Sequence, residues 1–201
     1  MPVNTAARAG AAEPSLEALL RTVEKLLPFV EAEADEAEQL YHLTDRVVGE
    51  FRRAGLYTLT VPKAVGGLEL PWVDAMRLVE RVAWADGSTG WCMMVEGVVC
   101  AMVAALLPEA GVRMIFGKGA DVIIAGNGVP RGFARRVDGG YMIRGNWSYG
   151  SVIHHAEWIH SGCFVAEGDK PKLKPDGTPE IVLCHHPRST IELKGNWDVL
   201  G

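Results

Sequence analysis

Residues 145–158 concentrate side chains whose types and spacing could do chemistry. Trp147, Trp158 and Tyr149 bring aromatic rings, Ser151 brings a hydroxyl, and His155 brings an imidazole. We interpret the segment as β-like, so that these groups could be presented together to a flat aromatic guest. The alternative is core packing, in which the two indoles fill the space between a sheet and helices.

Metal binding and nucleophilic catalysis find less support. Histidines and one cysteine occur at residues 154, 155, 160 and 184–186, but the chain has no HExxH motif. Neighbouring residues of a strand also point to opposite faces, which separates such ligands. The chain has no Gly-x-Ser-x-Gly motif, and no serine or cysteine is evidently paired with a base. We therefore expect neither a metal site nor an activated nucleophile.

A glycine-rich stretch, Gly126-Asn127-Gly128, opens residues 126–132, which we predict to form a loop. The stretch is not part of a strand–GxGxxG–helix unit, which argues against a Rossmann domain. Glycine still permits a backbone to approach a ligand closely. The loop is thus either a ligand-binding element or an ordinary connection.

The composition limits the partners. The 201 residues carry a net charge of −5 and no basic stripe, so nucleic acid is not an expected partner. Four cysteines without a CxxC pair suggest free thiols in a reducing cytoplasm. Residues 91–107 are apolar but interrupted by Glu96 and short for a bilayer, so we predict a buried helix and no membrane association. Residues 1–14 read as a disordered lead-in.

Hydrophobic periodicity and capping signals predict an α+β fold. Thr44 and Gly55 are a suitable N-cap and terminator for a helix over 45–54, and residues 86–90 break one helix and cap the next. Helices are predicted over 16–37, 45–54, 72–84, 91–107 and 108–117, and an extended stretch over 56–61. Strands are predicted over 121–125, 133–137, 141–147, 157–166, 180–185 and 190–193. The domains would be helical over 15–118 and an antiparallel, β-barrel-like domain over 119–201.

Several short motifs occur in a characteristic order along the chain. They are Leu26-Leu27-Pro28, Ala54-Gly55-Leu56-Tyr57, Gly66-Gly67-Leu68, Gly87-Ser88-Thr89-Gly90-Trp91, Asp138-Gly139-Gly140-Tyr141, Gly145-Asn146-Trp147, Ser151, His155-Ala156-Glu157-Trp158 and residues 197–201. In this order the chain resembles the acyl-CoA dehydrogenase fold superfamily. Within it, the chain is most similar to the flavin-dependent two-component monooxygenases, the oxygenase components of aromatic hydroxylases.

The resemblance implies a helical N-terminal domain, a β-barrel middle domain and a C-terminal four-helix bundle. In relatives that bundle supplies part of the flavin site, a catalytic base and tetramer contacts. The chain looks truncated before it, since its last residues close no element.

The resemblance also implies site residues. Asn127, Val129, Trp147, Tyr149 and Ser151 would bind the cofactor, with Ser151 catalytic beside flavin N5, and Trp91 and His155 would contact the substrate. Two positions depart from the family pattern: Val152, where glycine is usual, and His154, where an acidic residue is common.

The activity implied is that of an oxygenase component that hydroxylates an aromatic or polycyclic small molecule through a flavin C4a-hydroperoxide. Reduced FMN or FAD would come from a separate flavin reductase, dioxygen would be the co-substrate, and the protein would be a cytoplasmic homotetramer. One alternative is an acyl-CoA dehydrogenase-type flavoenzyme, although residues 125–130 replace the Thr-Glu-Pro-type loop expected there. A non-catalytic truncated fragment is the other alternative.

Overall fold

The computed structural model describes residues 13–197, so most of the predicted lead-in and the last four residues lie outside the described part. The chain forms two compact units. A helical unit comprises the described residues up to Ile123 together with 194–197, and a sheet unit comprises Ile124–Leu193. The predicted α+β class is confirmed.

The helical unit has α-helices wherever periodicity predicts them. They are α1 (Leu16–Leu40), α2 (Asp45–Ala54), α3 (Trp72–Ala85), α4 (Gly87–Leu106) and α5 (Glu109–Phe116). Helix α3 packs against both α1 and α4. The core of the unit is aliphatic and aromatic, and its largest fully buried side chains include Tyr57, Phe51 and Phe116.

Side-chain caps set the helix boundaries. The Thr44 hydroxyl accepts a hydrogen bond from Val47 N at 3.2 Å, and Gly55 ends α2 at φ 73°, in the left-handed region. The Asp86 carboxylate accepts from Thr89 N at 2.6 Å, so α4 begins directly behind α3. The caps predicted at Thr44, Gly55 and residues 86–90 are therefore confirmed.

Helix α4 is long and apolar enough to cross a membrane by length and composition alone. It carries Glu96 at only 1% exposure. The Cys100 Sγ, one turn later, lies 2.8 Å from Glu96 Oε1 and 3.2 Å from Val122 O, and its single S–H proton can be donated to either acceptor. The buried face of α4 thus carries a carboxyl group with a hydrogen-bond partner, whereas Val98 and Leu106 of the same helix are exposed. The helix predicted to be buried is therefore buried on one face only.

The extended stretch predicted over 56–61 is wrong. Leu56–Thr58 form a 3₁₀ turn whose side chains are all buried. Both the backbone N–H and the hydroxyl of Thr58 donate to Gly55 O, at 3.1 and 2.8 Å. These local bonds and burial on every side favour a tight turn over a strand, whose side chains would alternate between two faces.

The sheet unit contains β1 (Ile124–Val137), β2 (Gly140–Gly145), β3 (Trp158–Glu167), β4 (Lys170–Pro171) and β5 (Ile181–Pro187). Strand β1 lies between β2 and β3. The other edge of β3 pairs with β5 along most of its length and with β4 at its last residues, Ala166 and Glu167. The β1–β2 hairpin runs from Val137↔Gly140 to Gly132↔Gly145, which confirms the turn predicted at residues 138–140.

The sheet is mixed, so the prediction of a wholly antiparallel domain is wrong. Strands β1 and β3 run parallel, with Ile124 opposite Trp158 and Ala134 opposite Val165. After β2 the chain returns through residues 146–157 and starts β3 in the direction of β1. A parallel pair needs a crossover of about a dozen residues or more. Residues 146–157 are long enough to provide it.

Two further predictions in this unit are wrong. Residues 126–132 lie inside β1 rather than in a loop, although the register shifts between Asn127 and Gly132. Residues 190–193, predicted to form a strand, do not form one: Thr190 is the last residue of a 3₁₀ turn at Arg188–Thr190, and residues 191–193 are irregular. The Thr190 hydroxyl donates to Pro187 O at 2.7 Å, and this bond favours a turn over a further strand.

Candidate functional site

The segment 146–157, predicted to be β-like, is irregular and ends in a 3₁₀ turn at Ile153–His155. Tyr149 and Val152 have φ of 61° and 65°, and such left-handed residues interrupt the alternation of a strand. Arg188 Nε donates to Ile153 O at 3.4 Å and ties the turn to the end of β5. The chemically rich residues therefore lie on a folded connection of the sheet unit.

The strand registers show which side chains share a face of the sheet. Asn127 is paired with Ser161 and Gly132 with Cys163, while Ile159, on the same side of β3, is paired with His186. Side chains of paired residues project to the same side, and alternate residues of a strand do so too. One side of the sheet, which we call the site face, therefore carries the side chains of Asn127, Ser161, Cys163 and His186. A side chain at Gly132 would point to the same side.

Trp147 lies on the site face over two paired glycines. A Cβ atom at Gly132 would come within 2.4 Å of Trp147 Cζ2, and one at Gly145 within 2.8 Å of Cη2. The indole Nε1–H donates to Gly162 O of β3 at 2.8 Å. The half-buried ring thus reaches from the end of β2 across β1 to β3 and anchors the connection on the sheet.

Asn127 links strand β1 to this connection. Its Nδ2 donates to Ser148 O at 2.8 Å, and its Oδ1 accepts from Val129 N at 2.9 Å. These two bonds fix the backbone at Val129 and at Ser148, each at or next to an exposed side chain. Val129 is 55% exposed, and Tyr149, which follows Ser148, is 65% exposed. One asparagine side chain therefore organises an apolar edge that is open to solvent.

Val152 is the β-branched one of the two left-handed residues in the connection. It is buried and has a left-handed backbone, which is a rare conformation for a β-branched residue. The cost of this conformation is roughly 1–2 kcal/mol for an L-residue other than glycine. Glycine would adopt the conformation without that cost.

The structure brings four of the seven predicted site residues together. Asn127 bonds to Val129 N and to Ser148 O, and Ser148 lies between Trp147 and Tyr149 in the chain; we call these two bonds the Asn127 clamp. Ser151 and His155 are half-buried and lie further along the same connection, His155 in the 3₁₀ turn. Trp91 belongs to the helical unit, where it is exposed in α4. The roles of all seven toward a ligand stay predictions.

A histidine pair lies on the opposite face of the sheet. His160 Nδ1 and His185 Nε2 are 2.8 Å apart across the β3–β5 pair, and His185 Nδ1 is buried with no partner. Burial lowers the pKa of His160, and burial together with the neighbouring His160 and His186 lowers the pKa of His185 to about 4. Both rings are therefore neutral near pH 7.

A serine–histidine pair lies on the site face, which corrects the expectation that no serine is paired with a base. Ser161 Oγ is 3.1 Å from His186 Nε2, and His186 Nδ1 is 2.6 Å from Thr190 Oγ1. No sequence motif marks this pair, because Ser161 and His186 meet only through the register of two strands. From the sequence, the alternation of side chains along β5 indicates that His186 and Cys184 share a face. Only the pairing of β5 with β3 shows that Ser161 is the neighbour of His186 on that face.

Residues 14–110 match the family described as acyl-CoA dehydrogenase, N-terminal domain.

The chain is similar to several curated monooxygenases. It is 32% identical to an indole-3-acetate monooxygenase of Pseudomonas putida, over 97% of this chain and 46% of that protein. It is 31% identical to the flavin-dependent monooxygenase, oxygenase subunit HsaA, of Mycobacterium tuberculosis, over 92% of this chain and 45% of that protein. A crystal structure of the HsaA monooxygenase from M. tuberculosis matches with a TM-score of 0.83 at 29% identity, covering 93% of this chain and 49% of the other. The chain spans about half the length of the curated relatives it matches.

Proposed function

We propose that the chain is part of the oxygenase component of a two-component, reduced-flavin-dependent monooxygenase that hydroxylates an aromatic or polycyclic small molecule. The observation that carries the proposal is the Asn127 clamp, whose two bonds hold the backbone at the exposed Val129 and at Ser148, the residue between Trp147 and the exposed Tyr149. The names of the relatives support it, since they are monooxygenases and one is a flavin-dependent oxygenase subunit.

The residues around the Asn127 clamp suit a flavin. A tricyclic ring needs an apolar surface to lie on and a few fixed polar groups to orient it. Val129 and Tyr149 offer exposed apolar surface, and the two hydrogen bonds of Asn127 fix the backbone on either side of it. When bound, the reduced flavin would supply oxygen activation, through the C4a-hydroperoxide that the family resemblance implies.

The chain's own residues would bind, orient and exclude water. Trp147 holds the connection against the sheet through its bond to Gly162 O, and so limits the entry of water between the connection and the sheet. Ser151 would place a hydroxyl near the reacting edge of the ring. His155 and Trp91 would contact the aromatic substrate. We further propose a separate flavin reductase as the source of reduced flavin, dioxygen as co-substrate, a homotetrameric assembly and a cytoplasmic location.

The binding test uses Asn127→Ala. Reduced FMN and reduced FAD are titrated anaerobically into the wild-type protein and the variant. The substitution removes two hydrogen bonds that position the site, each worth about 0.5–1.5 kcal/mol, so we expect binding of the preferred flavin to weaken by at least about fivefold. Asn146→Ala, which changes an exposed asparagine of the same connection, is the matched control and should bind as the wild type does.

The same samples decide the reaction class. Mixed with oxygen, the flavin complex should pass through a transient absorbance that differs from both reduced and oxidised flavin. A protein that binds neither flavin refutes the proposal. A protein that retains oxidised FAD on purification and oxidises a thioester is instead the dehydrogenase alternative.

A further inference from the structure

Three hydrogen-bonding side chains form a continuous line from the site face to the surface. Ser161 is 1% exposed, His186 is half-buried and Thr190 is exposed. The distances along the line are 3.1 Å from Ser161 Oγ to His186 Nε2 and 2.6 Å from His186 Nδ1 to Thr190 Oγ1. We propose that Ser161, His186 and Thr190 form a proton relay between the site face and solvent.

The direction of each hydrogen bond follows from the donors available. Thr190 has one hydroxyl proton, and it donates this proton to Pro187 O at 2.7 Å. Thr190 Oγ1 must therefore accept from His186, so Nδ1 of that imidazole carries its proton. His186 Nε2 is then left with a lone pair, and the Ser161 hydroxyl donates to it. The tautomer of His186 is thus fixed by its partners, as a relay requires.

The inner end of the relay lies beside the residues of the proposed flavin site. Ser161 is the register partner of Asn127 on the neighbouring strand, and both side chains belong to the site face. Trp147 is bonded to Gly162, the residue after Ser161. Proton exchange at Ser161 therefore takes place within one strand spacing, about 5 Å, of the Asn127 clamp.

The surroundings keep His186 neutral and able to accept a proton. Burial lowers its pKa, and the backbone of Pro187 opposes this only in part. The titratable groups on the elements around it are Cys184, His185, Cys163, His160, Arg188 and Glu157. The two thiols have raised pKa values and stay uncharged near pH 7, while the pKa values of His160 and His185 are lowered and these rings are neutral as well.

One proton enters the relay and one leaves it. Ser161 Oγ takes a proton from a hydroxyl or N–H group of the molecule bound on the site face, which is left deprotonated, as its own hydroxyl proton passes to His186 Nε2. The Nδ1 proton of His186 passes to Thr190 Oγ1, whose hydroxyl proton leaves Pro187 O and goes to water. No other bond changes, and the reverse passage delivers a proton to the site face and restores the tautomer.

The relay geometry is tested without any flavin. Nitrogen-15 NMR of the histidines in the protein should show His186 with its proton on Nδ1. In Thr190→Val, which keeps the shape but removes the acceptor, the tautomer should shift toward Nε2–H, whereas Thr190→Ser should retain the wild-type signal. Ser189→Ala, at an exposed neighbouring position, is the control and should also retain it. An Nε2–H tautomer in the wild type, or identical spectra for Thr190→Val and Thr190→Ser, would overturn the proposal.

The assignment of the relay to the flavin site rests on the proposed function, and a second measurement separates the two. Proton uptake or release is followed with a pH indicator while the reduced-flavin complex reacts with oxygen. General acid–base groups typically contribute about 10²–10⁴-fold. We expect His186→Leu to slow the proton step at least tenfold, Thr190→Val to slow it less, and Thr190→Ser to leave it unchanged. Unchanged proton kinetics in His186→Leu with intact flavin binding would refute the relay alone. No flavin binding by any variant or by the wild type would refute the proposed function, while the tautomer result would still decide the geometry.

Discussion

The packing of Trp147 on paired glycines predicts a sharp response to a single added methyl group. In Gly132→Ala, the new Cβ would lie 2.4 Å from Trp147 Cζ2 and 2.8 Å from Arg144 O. The carbonyl belongs to the paired strand β2 and cannot rotate away, and the indole is held by its bond to Gly162 O. Overpacking of this kind costs about 1–3 kcal/mol. Displacing the indole would lose its hydrogen bond as well, at about 1 kcal/mol.

Gly140→Ala is the matched control in the same hairpin. No heavy atom lies within 4 Å of a Cβ built there, and its φ is not in the left-handed region. This variant should be neutral or slightly stabilised, because alanine reduces the entropy of the unfolded chain. Urea unfolding followed by circular dichroism would give the difference in stability, and the NMR signal of the Trp147 indole N–H would report the loss of its bond.

A double-mutant cycle completes this test. In a Trp147→Leu background the methyl group at Gly132 should cost less, since the flexible side chain can move aside, and the two changes should couple by about 0.5–3 kcal/mol. Equal stability of Gly132→Ala and Gly140→Ala, or a cycle with no coupling, would refute the inferred packing.

Two other outcomes are expected. The free energy of unfolding should fall as the pH drops from about 6.5 toward 4, because the histidines of the unfolded chain bind protons that the buried His160–His185 pair does not. The loss due to His185 alone is at most about 3 kcal/mol. In thermal unfolding measured against pH, His185→Gln should flatten the profile. Asp86→Ala should destabilise the protein by about 1 kcal/mol through loss of the cap bond to Thr89 N, whereas Asp86→Ser should retain most of it; equal stability of the two variants by urea unfolding would contradict the cap.

Local signals in the sequence were sufficient for the helices and the hairpin. The caps at Thr44, Gly55 and Asp86 are properties of a few neighbouring residues, and so is the turn at residues 138–140. The α+β class followed from the order of these elements. Leu56–Thr58 shows the limit of this reasoning, because a short apolar run does not reveal whether its side chains alternate or are buried together.

The arrangement of the candidate site depended on longer-range pairing. Residues 145–158 drew attention by their composition, but their path over the sheet follows from the parallel register of β1 and β3. The Ser161–His186 contact has the same origin, since the two residues are neighbours only across β3 and β5. A shift of one residue in either register would move every such side chain to the other face, and no local pattern specifies that register.

The parallel pairing of β1 and β3 also constrains the order in which the sheet unit can assemble. The β1–β2 hairpin closes over residues 138–139 and needs little loop entropy, whereas β3 can dock on β1 only after residues 146–157 have wrapped across it. Contacts between residues far apart in sequence slow folding. We therefore expect the hairpin to form early and the docking of β3, with the Trp147 bond to Gly162, to limit the folding rate.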